Sequence, residues 1–258
     1  MNRKLFLILV VVAALGVLTV ALVTADDMAM VNVGHGIPGE DLGLDPELPV
    51  DVIVDGGCFL HDFEFGEFAG PVELPSGTYS VTVALSDDDP VTCAGAVAIG
   101  PVELMFEGGK NYTVFAHLAE DGTPTATLYE NDVSDVVAGH TRLTARHTAA
   151  APAVDLFLNR GWVRGRTIGE FYGLANPDEA GPADVRPGAL ALTIVLSGTD
   201  TIVLQAPPET GGQPLVTRPH KSQIIYAVGT PDLVDPDNST FQLLVQTLGL
   251  GHTPPPRP

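Results

Sequence analysis

The chain has 258 residues, 32 of them acidic against 12 basic, for a formal net charge of −20, and its composition is 45% hydrophobic but only 6% aromatic. Such a charge repels nucleic acid, anionic lipid and polyanionic glycans, so nucleic acid is excluded as a partner. With 28 Gly and 22 Pro set between β-branched runs, the composition predicts an all-β chain with frequent turns and a core built from Val, Leu, Ile and Ala.

Residues 1–25 read as an export signal. Arg3 and Lys4 precede an apolar stretch from Leu5 to Val23, and Val23-Thr24-Ala25 supplies small residues for cleavage. The stretch is long enough for an uncleaved anchor as well, since a membrane span needs about 18 apolar residues. On either reading the two positive charges stay inside and the remainder is exported. Membrane contact is then confined to this N-terminal segment.

A first unit is predicted over residues 28–135. Its strand candidates are Met30 to Val33, Val50 to Val54, Phe59 to Phe65, Thr78 to Leu85, Ala96 to Leu104, Asn111 to Leu118 and Thr125 to Glu130. Tyr79, Val81, Val83 and Leu85 alternate with Ser80, Thr82 and Ala84, the period of a half-buried strand. Gly-containing turns such as Asp55-Gly56-Gly57 and Glu107-Gly108-Gly109 separate the runs. About seven short strands in such a length predict an immunoglobulin-like β-sandwich. Both cysteines of the chain, Cys58 and Cys93, fall in this unit and are expected to form a disulfide in an oxidising compartment.

A second unit is predicted over residues 140–250, because the same order of anchors returns. Pro49-Val50-Asp51-Val52 is matched by Ala153-Val154-Asp155-Leu156, and Gly66-Glu67-Phe68 is aligned with Gly169-Glu170-Phe171. Leu74-Pro75-Ser76-Gly77 is matched by Arg186-Pro187-Gly188, and a lysine follows each of these glycines at the same distance, Lys110 and Lys221. The second unit's clearest strands are Ala153 to Leu158, Ala189 to Leu196, Thr201 to Gln205, Gln223 to Val228 and Thr240 to Thr247. Its extra length is expected between Phe171 and Gly188, around Asn176 to Pro182, whereas the first unit's lies between His35 and Asp51. Residues 251–258 are Pro-rich and read as a disordered tail. The fold class is therefore two tandem immunoglobulin-like sandwiches after a signal segment.

Val50-Asp51-Val52-Ile53-Val54-Asp55-Gly56, Phe65-Gly66, Leu74-Pro75-Ser76-Gly77-Thr78-Tyr79 and Glu107-Gly108-Gly109-Lys110-Asn111-Tyr112-Thr113-Val114 resemble the domain of unknown function 4397 family. His147, Pro152 to Leu158, Pro187-Gly188 and Lys221 to Gly229 follow the same order more loosely. The resemblance implies exported or cell-envelope bacterial proteins with tandem sandwich-like domains. It implies no catalytic residues.

Charge divides the units. Residues 26–139 carry 22 acidic residues against the single Lys110, a balance of −21, while residues 140–258 carry 10 acidic and 9 basic, a balance of −1. The acidic clusters Asp87-Asp88-Asp89 and Asp41 to Glu47 offer oxygen ligands for Ca²⁺, without EF-hand spacing; the alternatives are a solvated surface and the docking of a basic partner. In the second unit Arg160, Arg164 and Arg166 surround the only tryptophan, Trp162, in a predicted turn. Arg and Trp are frequent interface anchors, so this turn is the candidate partner-binding surface. An ordinary exposed hairpin is the competing reading.

No catalytic, cofactor or metal motif emerges. The seven histidines lack zinc-ligand spacing, His35 and His147 suggest a repeated structural role, and no nucleophile elbow or phosphate loop occurs. The sequence thus predicts a non-enzymatic, exported binding or structural protein of the cell envelope, whose partner is a protein or glycan at the cell surface. An extracellular hydrolase acting on glycans and a Ca²⁺-dependent adhesion module are the alternatives.

Overall fold

A computed structural model describes residues 27–87, 89, 91–161, 165–206, 214–235 and 238–250. The signal segment and the Pro-rich tail lie outside the described residues. Apart from a single 3₁₀ turn at Gly39–Leu42, every regular element among the described residues is a strand.

The first half contains β1 (Met28–His35), β2 (Val50–Val54), β3 (Gly57–Phe63), β4 (Phe68–Pro75), β5 (Gly77–Leu85), β6 (Val97–Phe106), β7 (Asn111–Leu118) and β8 (Pro124–Glu130). They form two four-stranded sheets, ordered β4-β1-β7-β8 and β3-β2-β5-β6. Alternation explains how the sheets face one another. Val50 and Val52 of β2, Val81 and Val83 of β5, and Val31 and Val114 of β1 and β7 point inward and form one buried core.

The second half repeats the plan with β9 (Thr141–His147), β10 (Val154–Arg160), β11 (Thr167–Leu174), β12 (Glu179–Val185), β13 (Ala189–Leu196), β14 (Ile202–Ala206), β15 (Leu215–Val216), β16 (Lys221–Val228) and β17 (Gln242–Gly249). Its sheets run β12-β9-β16-β17 and β11-β10-β13-β14, with β15 also paired to β13. Leu156, Leu158, Leu192, Ile194, Ile225 and Ala227 belong to its separate core. In both halves the first strand runs parallel to its neighbour in the middle of the sheet, β1 with β7 and β9 with β16.

Registers show which repeat anchors are equivalent. Asp51 lies opposite Ala84 of β5, and Asp155 opposite Val195 of β13, so the Val-Asp pairs correspond. The alignment of Gly66-Glu67-Phe68 with Gly169-Glu170-Phe171 is not what the structure has. Glu67 accepts from the His35 amide at 3.1 Å and Asp178 from the His147 amide at 3.0 Å, so Glu67 corresponds to Asp178. Gly169 to Phe171 lie on β11, the counterpart of β3.

The extra length of the second half is also elsewhere. Leu174 and Glu179 bound the β11–β12 connection, and Phe63 and Phe68 bound the β3–β4 connection, which has the same length. Residues 179–182 begin a strand rather than extending a loop. Insertion occurs instead between Arg160 and Thr167, where the first half turns directly from Val54 to Gly57.

Strands β4 and β12 escape a hydropathy reading because both carry Gly-Pro and flank their sheets, where proline costs no ladder bond. Gly70 and Gly181 have φ of +106° and +108° and lie against the carbonyls of Val31 and Leu143, where a Cβ would come to 2.7 and 2.8 Å. Only glycine fits that approach.

The two halves share a third core. Phe115 of β7 and Tyr226 of β16 stack with ring centroids 4.0 Å apart, and Phe68 lies 5.6 Å from Tyr226. Tyr129, Ile224, Val228 and Leu248 complete this buried cluster, which draws on both inner sheets. Arg146, 2% exposed, crosses the same seam. Its guanidinium donates to the Tyr226 hydroxyl at 2.7 Å, to Asn131 at 2.9 Å and to Glu179 at 2.9 Å, and lies 4.0 Å over the Tyr129 ring. Thr113 donates to Gln246 across the seam at 3.1 Å, and Thr240 to Asp41 at 2.7 Å. An aromatic seam with a buried arginine hydrogen-bonded through all three of its nitrogens joins the two sandwiches.

Candidate functional site

Arg160, Arg166 and Arg186 line one open groove with Ile168 and Val185. The groove forms where β10 and β11 of the outer sheet end beside the end of β12 in the inner sheet. Backbone pairing builds it: the Arg160 amide donates to the Arg166 carbonyl at 2.9 Å, and the Gly161 amide to Ala189 at 2.8 Å. The Arg160 guanidinium donates to the Arg186 carbonyl at 3.1 Å, which ties the two sheets together.

Among the described residues, none of these three arginines has a carboxylate partner. The other arginines of the inner sheet are engaged. Arg142 pairs with Asp132 and with Asp184, and Arg146 with Glu179. Arginines without carboxylate partners beside apolar Ile168 and Val185 suit an acidic partner, because a guanidinium fork can take a carboxylate.

The sequence-predicted turn is therefore brought together in part. Arg160 and Arg166 meet in the groove, while Trp162 and Arg164 lie outside the described residues. Arg186 was not among the predicted site residues. Its signal was present, since the first half has an uncharged residue at the start of the matching Leu74-Pro75 run.

Cys58 and Cys93 are joined as a disulfide with Cα atoms 5.6 Å apart. The bond ties β3 to the connection between β5 and β6, over a cluster centred on Asp51. Since Val50 and Val52 point into the core, Asp51 points to the opposite face of the sheet. It is nevertheless fully buried.

One oxygen of Asp51 takes every hydrogen bond. Asp51 Oδ1 accepts from His61 Nδ1 at 2.8 Å, from the Asp62 amide at 3.2 Å and from the Ser86 hydroxyl at 2.5 Å. Asp51 Oδ2 has no partner. His61 Nε2 faces Asp62 Oδ2 at 3.2 Å. Ser, His and Asp are together here, yet not as a nucleophile relay: the serine proton points to carboxylates of Asp51 and Asp62, and Asp62 holds the ring nitrogen that a general base would use.

The equivalent cluster of the second half is simpler. Asp155 accepts from the Gly173 amide at 2.8 Å and the Gly198 amide at 3.4 Å, so both oxygens are used. The Gly173 amide, helped by other donors, holds the Asp155 carboxyl below the usual aspartate range. Bulges in β3 and β11 place Tyr172-Gly173 where the first half has His61-Asp62, with positive φ at both Asp62 and Gly173. Strand β3, which contains Cys58 and His61, is thus the counterpart of β11 and not of the arginine turn.

The proposed Ca²⁺ ligands serve their own turns. Asp87 accepts from the Asp89 amide at 2.9 Å and the Ala94 amide at 3.0 Å, and Asp89 from the Val91 amide at 3.0 Å; Asp88 lies outside the described residues. Asp45 accepts from the Glu47 amide at 3.0 Å, and Asp41 faces Thr240.

His35 and His147 do hold repeated positions. His35 Nε2 meets the Leu48 carbonyl at 2.9 Å, and His147 Nε2 the Pro152 carbonyl at 3.0 Å. Burial lowers the pKa of both. Burial also lowers that of His117, to about 4.

No curated protein matches the chain. Among solved structures, the fimbrial anchor protein Mfa2 from Porphyromonas gingivalis is 11% identical, with 86% of this chain and 98% of that chain covered, at a TM-score of 0.18. That likeness carries no argument about function. The profile of the family described as Domain of unknown function (DUF4397) matches residues 29–157, which span all of the first sandwich and the opening strands of the second, and the chain belongs to that family.

Proposed function

We propose that this protein is an exported, non-enzymatic binding component of the cell envelope, a rigid pair of sandwiches that engages an acidic partner surface through the Arg160, Arg166 and Arg186 groove. The observation that carries this reading is a groove lined by three arginines, none with a carboxylate partner among the described residues. Arg146 is held by Glu179 in the interior, whereas these three keep no carboxylate of their own among the described residues. The charge of the first half supports the division of labour, because 22 acidic residues against one lysine keep that half soluble and repel polyanions from it.

Fractionation of the native host tests the reading. The chain is expected in the envelope fraction, released by raised salt because the contact is between charges accessible to ions. Replacing Arg160, Arg166 and Arg186 together with serine is expected to release it at ordinary salt. Equal retention of the triple variant and the native chain removes the groove from the function.

A further inference from the structure

We propose that Asp51, His61, Cys58 and Cys93 form a zinc site when the bond between the two cysteines is reduced. Ligand atoms of Asp51, His61 and Cys93 all lie within 4.8 Å of one another. Cys58 lies outside that group but is bonded to Cys93, so its sulfur is the adjacent fourth candidate. Tetrahedral Zn²⁺ with bonds of about 2.0 to 2.3 Å needs its ligands about 3.3 to 3.8 Å apart, a spacing small side-chain rotations reach from here.

A buried carboxylate oxygen points to the missing ligand. Asp51 is fully buried, and its Oδ2 has no hydrogen-bond partner. Leaving such an atom unsatisfied costs about 1 to 3 kcal/mol or more for a charged group, so it calls for an occupant. The internal repeat acts as a control: Asp155 has both oxygens occupied by backbone amides, and its half has Tyr172 for His61 and no cysteine. The orphaned oxygen, the histidine and the thiols occur together in one half and are all lacking in the other.

The surrounding groups suit zinc. With His61 Nδ1 on the metal, Nε2–H donates to Asp62 Oδ2, now 3.2 Å away, giving the carboxylate–histidine–metal arrangement that fixes ring and tautomer. Ser86 donates to Asp51 Oδ1 and holds the carboxylate in place. Two thiolates and an imidazole select Zn²⁺ over Ca²⁺, which takes oxygen ligands.

The switch is balanced by a dithiol. Its two electrons and two protons break the Cys58–Cys93 bond to give two thiols, and the dithiol becomes a disulfide. Zinc binding then releases both thiol protons to solvent.

Cobalt(II) is the probe, added to the full chain after reduction with a phosphine that does not compete for the metal. The reduced chain is expected to take up one Co²⁺ with thiolate-to-cobalt charge-transfer absorption, lost on adding Zn²⁺; the oxidised chain is expected to show none. Asp62→Asn, which keeps a residue tolerant of positive φ, is expected to weaken binding about tenfold. His61→Gln is expected to weaken it further, and Cys58→Ser with Cys93→Ser to abolish the absorption. The proposal is overturned by any one of three results: no absorption in the reduced chain, equal binding by His61→Gln, or a reduced chain that unfolds despite zinc.

Discussion

Phe115 and Tyr226 hold the same position in the two sandwiches and stack on each other with ring centroids 4.0 Å apart. The equivalence follows from the parallel ladders, which place Phe115 beside Gly34 and Tyr226 beside Arg146, one residue before His35 and His147. The repeat thus packs on itself about a local two-fold relation, as in an isologous dimer interface. Neutral Gly34 on one side leaves space for Phe115, where a Cβ would come to 2.6 Å from the ring, while Arg146 on the other carries the polar contacts of the seam.

Because the seam is a true core, the two sandwiches are expected to unfold in one transition. Phe115→Ala should cost about 3 to 5 kcal/mol and separate the urea unfolding curve into two steps. Two transitions already present in the native chain would show that the seam contributes little.

Arg146→Met keeps the volume but leaves the Tyr226 hydroxyl and Asn131 oxygen without their donor. A loss of about 2 to 4 kcal/mol is expected. Adding Tyr226→Phe in a double-mutant cycle should recover part of it, since the orphaned hydroxyl is then gone.

Stability is expected to fall in mild acid. His35, His117 and His147 are buried with lowered pKa values, so below the ordinary value of 6.5 the unfolded chain binds protons that the folded chain does not. Stability is therefore fully present above about pH 6.5 and is lost as pH falls toward the folded value of about 4 for His117. That shift alone amounts to on the order of 3 kcal/mol. Melting temperature followed from pH 7 to pH 4 measures it, and His117→Gln should flatten the slope.

Removing the Cys58–Cys93 bond, which spans a sequence separation of 35, is expected to cost about 4 kcal/mol by the chain-entropy account. Denaturant titration of Cys58→Ser with Cys93→Ser checks this. The second sandwich's own core should remain intact in that variant.

Gly70→Ala and Gly181→Ala are each expected to destabilise by about 2 to 3 kcal/mol, through positive φ and contact with a neighbouring carbonyl. Gly43→Ala has no such contact, so a thermal melt should show it the milder of the three.

Sequence patterning was sufficient for strands whose apolar residues alternate or run together. Val50–Val54, Asn111–Leu118 and Ala189–Leu196 have the bounds their residues predict. It failed for Thr141–His147, with two arginines in seven residues, because those arginines are buried in the inter-sandwich seam and not exposed to water. It failed likewise for the Gly-Pro edge strands, whose geometry depends on a neighbour's carbonyl rather than on their own hydropathy.

The arginine groove was half legible. Arg160 and Arg166 are near one another in the chain, but Arg186 joins them only because β12 ends beside the β10–β11 hairpin. Of the Asp51 cluster only the Cys58–Cys93 pair was legible, and its union with residues 51, 61 and 86 was not. A buried carboxylate is recognised by what fails to reach it, and that is a property of packing.

The sequence by itself determined that this is an all-β chain with a repeated order of anchors, its acidity in one half and its two cysteines in the same half, because turn residues, periodicity and charge are local quantities. Only the tertiary structure decided that the copies fuse through Phe115, Tyr226 and Arg146, that three separated arginines share one groove, and that Asp51 gathers His61 and Cys93 while its Oδ2 is left unpartnered. Those facts depend on which strand lies beside which, and long-range pairing is fixed by the burial of faces that no short window of sequence contains.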